Sequence, residues 1–305
     1  DGALVEDFGV GRSIWGVAIV EAPHGVLVTR TDGSLQRWSL PGAQLRYGEG
    51  KGGRFGRLAA HGDRWVAALD DGAVLGDAAT GAVLRQLDVD ARPEAVMLDA
   101  LGVAMGGWDG APWRFDAAGA RLPDAPVLPA AILDIERVDD TTLAIAGGDG
   151  VIRLWDRTAG RTVAELRGHD FGVRALASDP DGGALISGST DQSLRLWDPR
   201  RGGLDMALVG AAEKIHALAW SADGATLYTG SGVEWDRSDA NELVAWSVDT
   251  GLARARVRDH TATIEAVVVA GTSVISADRD GTLVVRDVGL SPRLRGRAPG
   301  RCRPT

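Results

Sequence analysis

The feature that most constrains this fold is an internal repeat of about 40 residues. Its shared element is an aspartate followed six positions later by an aromatic residue, as in Asp149 with Trp155 and Asp191 with Trp197. Degenerate copies extend the series, and the last position of the element then falls at residues 38, 76, 115, 155, 197, 246 and 286. Repeats of this length bury their apolar faces by stacking on their neighbours, so the chain should form a repeat architecture.

The residues between the markers favour β-strands. Short alternating runs such as ALISGS, LRLWD and TVAEL are separated by DG and GG turn signals. No segment shows a long apolar period of 3.6 residues, so almost no helix is expected. Seven copies at this spacing predict an all-β fold, a seven-bladed β-propeller of four-stranded antiparallel blades, over residues 1–288.

Several motif residues resemble the WD-repeat family. Gly168 and His169 stand at the start of one repeat, Trp197 and Asp198 at its end, and a Trp-Asp pair closes the preceding repeat at 155–156. The resemblance covers nearly the whole chain and is strongest in the fourth and fifth copies. It implies a seven-bladed propeller whose flat and side surfaces bind proteins or peptides, and it implies no reaction.

The start of the chain predicts how the ring closes. The stretch ALVEDFGVGRSIWGVAIV matches the layout of TVAELRGHDFGVRALAS, in which TVAEL is an outer strand. Residues 3–7 are therefore expected to supply the outer strand of the last blade. Pairing the first strand into the last blade would remove an open sheet edge.

The fifth copy contains the ingredients of a Ser-His-Asp hydrolase. The family resemblance instead implies a buried structural hydrogen-bond network, and we expect no catalytic residue. The network residues are His169, Ser187, Asp191 and Trp197. The seventh copy is expected to keep a partial version, formed by His260, Ser276 and Asp280, with Arg286 in the tryptophan slot.

The sixth copy carries an insertion, GSGVEWDRSDANE, between its second and third strands. Its charged and aromatic residues are Glu234, Trp235, Asp236, Arg237, Asp239 and Glu242. Three interpretations remain open: a solvated acidic loop, a partner-binding loop anchored by Trp235, or a calcium site. The spacing lacks alternating ligands and a mid-loop glycine, so we expect no metal.

The aspartate-bearing turns should ring one face of the disc. Residues beside these turns and at the entrances to the inner strands are then candidates for contacting a partner. They are Trp15, Trp108, Phe171, Arg174, Lys214, Trp235 and Arg279.

Charge and composition narrow the partners. The net charge is −9, yet residues 289–305 hold five arginines and no acid, so the first 288 residues carry −14. This acidic body argues against nucleic-acid binding and favours a basic peptide. The arginine-rich segment is expected to be a disordered tail. A single cysteine, Cys302, excludes an internal disulfide and a cysteine-built zinc site. No apolar run reaches 18 residues, so no membrane helix is expected.

The sequence therefore favours a non-enzymatic, monomeric binding scaffold without a cofactor, standing alone or as one module of a larger protein. One alternative is a propeller-type enzyme, similar to a lactonase or quinoprotein, and another is a ligand or redox sensor. Both would bind a ligand in the central channel, whereas inner-strand segments such as VRALAS, IHALAW and IEAVVV are mostly small and apolar. The expected compartment is the cytoplasm. The periplasm or secretion stay as alternatives, because a chain beginning at Asp1 could have lost a signal peptide.

Overall fold

The chain folds into seven antiparallel sheets that follow one another in sequence. The computed structural model describes residues 5–7, 14–20, 25–30, 34–39, 43–49, 57–123, 125–208, 210–211, 213–233 and 241–290. Its strands are numbered β1 to β27 in chain order, and β1 is Val5–Asp7.

Blades one to three follow β1. Blade one contains β2 to β5: Ile14–Val20, Gly25–Arg30, Ser34–Ser39 and Ala43–Glu49. Blade two contains β6 to β9: Leu58–His61, Arg64–Leu69, Gly72–Asp77 and Val83–Leu87. Blade three contains β10 to β12: Pro93–Asp99, Gly102–Gly107 and Pro112–Asp116.

Blades four to seven complete the series. Blade four contains β13 to β16: Ile132–Arg137, Thr142–Gly147, Ile152–Asp156 and Arg161–Leu166. Blade five contains β17 to β20: Val173–Ser178, Leu185–Ser189, Leu194–Asp198 and Gly203–Leu208. Blade six contains β21 to β24: Ile215–Trp220, Thr226–Ser231, Leu243–Ser247 and Ala253–Val257. Blade seven contains β25 to β27: Ile264–Ala270, Ser273–Asp278 and Thr282–Asp287.

The seven-bladed all-β fold predicted from the repeat is confirmed. Every marker position falls in the third strand of its blade, from residue 38 in β4 to residue 286 in β27. The core consists of apolar clusters between neighbouring blades. One of them joins Ile152 and Leu154 of blade four to Val173, Leu176 and Trp197 of blade five. Sheet-on-sheet burial of this kind provides most of the stabilisation of a propeller.

Blade three departs from the prediction of four strands. Its sheet has three, and beyond β12 the described chain adds an isolated bridge between Phe115 and Arg121. The segment that should form the outer strand contains Pro123, Pro126 and Pro129. Proline cannot donate a ladder hydrogen bond, so this segment cannot pair as a regular strand.

In blade two, the aromatic residue expected in the third strand is replaced by a tryptophan side chain from the second strand. The marker position is Gly76 in β8, and the indole of Trp65 in β7 lies directly over it. A Cβ atom at Gly76 would come within 2.1 Å of the Trp65 ring. Trp65 is fully buried and donates its indole N–H to the Asp77 carbonyl at 3.0 Å. The glycine therefore makes room for a tryptophan that the repeat pattern would place eleven residues later, at position 76.

The N-terminal strand β1 lies antiparallel to β27, with Val5 opposite Val284 and Asp7 opposite Thr282. Closure of the ring by the whole segment 3–7 stays a prediction, because residues 3 and 4 lie outside the described residues.

The disc has two faces, which we call the aspartate face and the opposite face. The aspartate face carries the turns between second and third strands and the connections between blades. The opposite face carries the turns between first and second strands and between third and fourth strands. In blade four, for example, Ile132 pairs with Gly147 at the aspartate face and Arg137 pairs with Leu143 at the opposite face.

Candidate functional site

The structure brings the four predicted network residues of blade five together. His169 Nδ1 lies 2.8 Å from Asp191 Oδ2, and His169 Nε2 lies 2.7 Å from Ser187 Oγ. The indole N–H of Trp197 donates to the same Ser187 Oγ at 2.8 Å. A carboxylate can only accept here, so His169 carries its proton on Nδ1 and accepts the serine hydroxyl at Nε2.

Burial and hydrogen bonding close this network to a substrate. Burial lowers the pKa of His169 and favours its neutral form. The pKa of Asp191 is also lowered, against its burial, because Ser193 and His169 hydrogen-bond to its carboxylate. Ser187 is 0% exposed, and Trp197 occupies its oxygen. A substrate carbonyl therefore has no path to a nucleophile that otherwise shows triad-like distances.

Blade seven contains a second network, but its acid is not the one predicted. His260 Nε2 lies 2.7 Å from Ser276 Oγ, and His260 Nδ1 lies 3.0 Å from Asp278 Oδ2. The prediction of Asp280 was wrong. Asp278 ends strand β26, and its carboxylate reaches the histidine directly while also accepting the Thr282 N–H at 2.8 Å. Asp280 is exposed in the following turn.

Two of the predicted partner contacts are strongly exposed on the aspartate face. Trp108, in the β11–β12 turn, is 62% exposed, and Phe171, before β17, is 64% exposed. A series of backbone contacts links their loops. Leu128 N donates to Gly110 O and Gly148 N donates to Ala131 O, both at 2.8 Å. A Cβ atom at Gly150 would lie 3.0 Å from the Phe171 carbonyl. The two aromatic side chains thus belong to one connected surface across blades three to five.

Trp15 and Arg279 are brought together with each other. The Trp15 ring lies between two guanidinium groups, with Arg279 at 5.3 Å and Arg92 at 5.6 Å from its centroid. Arg279 also pairs with the buried Glu265 at 2.5 Å, and its side chain is only 17% exposed. These groups are used in bracing blades one, three and seven, which leaves them less available to a partner than the sequence suggested.

The remaining predicted partner contacts are Arg174, Lys214 and Trp235. Arg174 and Lys214 are half-buried at the entrances to their inner strands. Trp235 lies outside the described residues, as do residues 234–240 of the sixth-blade insertion. Glu242, which one of the three interpretations placed in a solvated acidic loop, is buried and pairs with Arg256 Nη1 at 2.8 Å and Arg258 Nε at 2.6 Å. Its charge is therefore used inside blade six.

The inner strand of blade four carries two carboxyl groups that sequence reasoning missed. Asp134 and Glu136 of inner strand β13 face blade five and accept hydrogen bonds from Leu176 N at 2.8 Å and Ser178 N at 3.2 Å. Burial raises the pKa of Asp134 to about 6. Burial, together with Asp134, raises that of Glu136 to about 8. The expectation of small apolar inner strands was wrong here. Comparing ILDIER with the equivalent VRALAS would have revealed both acids.

Within the described ranges, no three His, Cys, Asp or Glu side chains are grouped so that they could hold a metal ion. Among the same residues there is no helix of the length and apolarity that crossing a membrane requires.

Comparisons with known proteins agree with this architecture. Residues 160–198 match the family model described as "WD domain, G-beta repeat". No curated protein matches the chain. A chain of the solved structure titled "Crystal Structure of Mitotic Checkpoint Complex" is similar with a TM-score of 0.80 and 18% identity, over 93% of this chain and 91% of that chain. At this identity the likeness concerns the fold. The protein is a seven-bladed β-propeller that carries a WD40 repeat over residues 160–198.

Proposed function

We propose that this protein is a non-enzymatic scaffold that binds a protein or peptide on its aspartate face. WD40 propellers typically serve as interaction scaffolds and are usually non-catalytic. The observation that carries the proposal is the exposure of Trp108 and Phe171 on one connected surface. Large aromatic side chains held in solvent on a rigid sheet framework are the residues that most often dominate a binding interface.

The chemistry beside these aromatics favours a basic partner. Exposed Asp109 follows Trp108, and exposed Asp170 precedes Phe171. An arginine or lysine can stack on an aromatic ring and pair with the neighbouring carboxylate at the same time. The overall charge of −9 would add long-range attraction for such a peptide. We therefore expect a peptide that combines cationic and apolar side chains, bound more weakly as salt rises.

One observation favours the alternative, an enzyme that binds a ligand in the central channel. Asp134 and Glu136 are carboxyl groups of the kind that such sites use. Each of them, however, accepts a backbone N–H of the next inner strand, which would otherwise lie unpaired at the sheet edge. This structural use explains both acids without a substrate.

A peptide selection followed by matched variants tests the proposal. Peptides from a random display library are selected on the purified protein, and their affinity is measured by titration calorimetry. Trp108→Ala and Phe171→Ala should each weaken binding at least about tenfold, or about 1.4 kcal/mol. Leu252→Ala is the control, since Leu252 is 68% exposed in the β23–β24 turn of the opposite face.

Two results would contradict the proposal. Selected peptides that are acidic would contradict the expected partner chemistry. Equal affinity of the parent and a Trp108→Ala/Phe171→Ala double variant would place the binding surface elsewhere.

A further inference from the structure

The opposite face contains a cavity that the proposed function does not use. It measures about 380 Å³ and lies where blades four and five meet. The turn 138–141 of blade four, the turn 179–184 of blade five and the start of the turn after β19 surround it. Glu136 of the inner strand β13 also lines it.

Negative charge dominates the lining. The lining carboxylates are those of Asp139, Asp140, Asp179 and Asp181, and the cationic groups are those of Arg137 and Arg200. Glu136 is a fifth carboxyl group, whose raised pKa favours its neutral form. Arg137 is already paired with Asp140 at 2.5 Å. Asp139 is held ionised, since hydrogen bonds from Thr141 and Thr142 lower its pKa. A cation entering this cavity would therefore gain attraction from several carboxylates.

The described chain leaves the propeller on this same face. β27 ends at Asp287, which pairs with Ser273 at the opposite-face end of blade seven. The next residues turn towards blade six. Tyr228 of blade six donates its hydroxyl to the Val288 carbonyl at 2.5 Å, and Leu290 is 2% exposed in the apolar cluster between blades six and seven. The chain after Leu290 therefore starts beside blade six, on the side from which the cavity can be approached.

Blade six provides an acidic connection to the cavity. Asp223 lies in its first turn, close enough to Tyr228 for both Asp223 and Asp287 to raise the pKa of the tyrosine, although burial is the larger cause. The same turn contacts the cavity lining, because a Cβ atom at Gly224 would lie 3.9 Å from Pro180. Arg254 is the cation near this path.

Residues 291–305 have the opposite charge and sufficient reach. Their arginines are Arg293, Arg295, Arg297, Arg301 and Arg303, and they contain no acid. Fifteen residues can span up to about 50 Å when extended. The cavity lies two blade spacings from Leu290, on the order of 20 Å for sheets packed about 10 Å apart.

We infer that segment 291–305 docks along the opposite face and inserts an arginine side chain into the cavity between blades four and five. The guanidinium would lie among the lining carboxylates, which outnumber the two lining arginines, Arg137 and Arg200. The inference does not depend on the partner proposed for the aspartate face.

The single cysteine of the chain makes the inference directly testable. Cys302 lies within the segment, so one introduced cysteine defines one disulfide. Gly183→Cys places a thiol directly after the lining residue Gly182 and removes no charge. Gly148→Cys is the matched control on the aspartate face of the neighbouring blade. Both sites accept a Cβ atom, with the nearest atoms at 3.6 Å and 3.4 Å.

With oxidised glutathione as the oxidant, the intramolecular disulfide to Cys302 should form at least about tenfold faster in Gly183→Cys than in Gly148→Cys. High salt, or Arg293→Gln/Arg295→Gln/Arg297→Gln in the same chain, should remove most of this difference. Equal rates in the two cysteine variants, or a rate that rises with protein concentration, would overturn the inference.

A second measurement does not depend on the introduced cysteines. In the full chain, the triple arginine variant should show faster amide hydrogen exchange at 138–141 and 179–184 than the parent, and unchanged exchange at 148–151. If the exchange rates of parent and variant coincide at the cavity, the segment does not occupy it.

Discussion

At the scale of single residues, the position of an acid along its strand decides which acid a buried histidine uses. In blade five, Asp191 reaches His169 from the turn after β18, four residues beyond Ser187. In blade seven, Asp278 is two residues beyond Ser276 and reaches His260 from within the strand. Both carboxylates satisfy a histidine N–H that would otherwise be buried without an acceptor, which costs about 1–3 kcal/mol.

Asp278→Ala should therefore lower the free energy of unfolding by about 1–3 kcal/mol, and Asp191→Ala by a similar amount. Asp280→Ala is the control and should change stability by less than about 0.5 kcal/mol, because Asp280 is exposed. Urea denaturation monitored by tryptophan fluorescence measures all three. A loss for Asp280→Ala as large as that for Asp278→Ala would contradict the assignment.

Glu136 should make stability depend on pH. Burial and Asp134 raise its folded-state pKa to about 8 from an ordinary value of 4.5, against the lowering effect of Ser178 N–H and Arg137. The protonated form thus stabilises the fold. This contribution is complete below the unfolded-state pKa and is lost as the pH rises through about 8.

Glu136→Gln removes that titration, so its stability should fall less than the parent's between pH 5 and pH 9. Thermal unfolding at a series of pH values measures the difference. Asp181→Asn, at the exposed rim of the same cavity, is the control and should retain the parent's pH profile. Parallel profiles for Glu136→Gln and the parent would show that Glu136 is ionised in the folded protein.

At the scale of strands and blades, the repeat correctly predicted the features that depend on local sequence pattern, namely strand positions and register. All seven markers fall in third strands, because the alternation and turn signals around them fix strand and register. The repeat did not predict features that depend on residues outside its shared element. The prolines of 123–129 prevent a fourth strand in blade three, and Trp65 fills the space above Gly76 from the neighbouring strand.

As with the fold, only part of the candidate site could be predicted from the sequence. The network of blade five follows from residues placed by the repeat register. The same register places Trp108 and Phe171 on the aspartate face, but their exposure is seen only in the structure, and partner binding by them stays a prediction. The stacking of Arg92 and Arg279 on Trp15 could not be predicted, because it joins residues from three blades whose relative positions exist only in the closed ring. The acids of β13 were present in the pattern, but their hydrogen bonds to β17 depend on the packing of two inner strands.

Gly76→Ala tests the packing in blade two. The new methyl group would lie 2.1 Å from the Trp65 ring, so the variant should lose about 1–3 kcal/mol of stability through overpacking. Gly203→Ala in β20 is the matched control, since no heavy atom lies within 4 Å of its Cβ position. Calorimetric melting of both variants measures the effect, and equal melting temperatures would show that Trp65 does not occupy the space above Gly76.

At the scale of the whole molecule, pairing between the two ends of the chain should stabilise the ring. β1 lies beside β27, and the prediction that segment 3–7 closes the ring rests on this pairing. A Val5→Pro/Glu6→Pro double variant removes two backbone N–H groups from β1 and should lower the melting temperature by several degrees. The Val5→Ala/Glu6→Ala variant keeps both N–H groups and is the control. If the two variants melt together, β1 does not close the ring.

The two faces of the molecule have different proposed binding roles. On the aspartate face, Trp108 and Phe171 stand in solvent beside carboxylates, as an external basic peptide would require. The opposite face has its own acidic cavity and the exit of the arginine-rich segment. Both ligands are cationic, so a measurement that separates the faces decides between them.

The most direct test of the central claim is a hydrogen-exchange footprint of a selected basic peptide on the full chain. The account predicts slower exchange at 107–111 and 167–172, the loops that carry Trp108 and Phe171, with 138–141 and 179–184 unchanged. Protection confined to 138–141 and 179–184 would contradict it, because the peptide would then bind the opposite face.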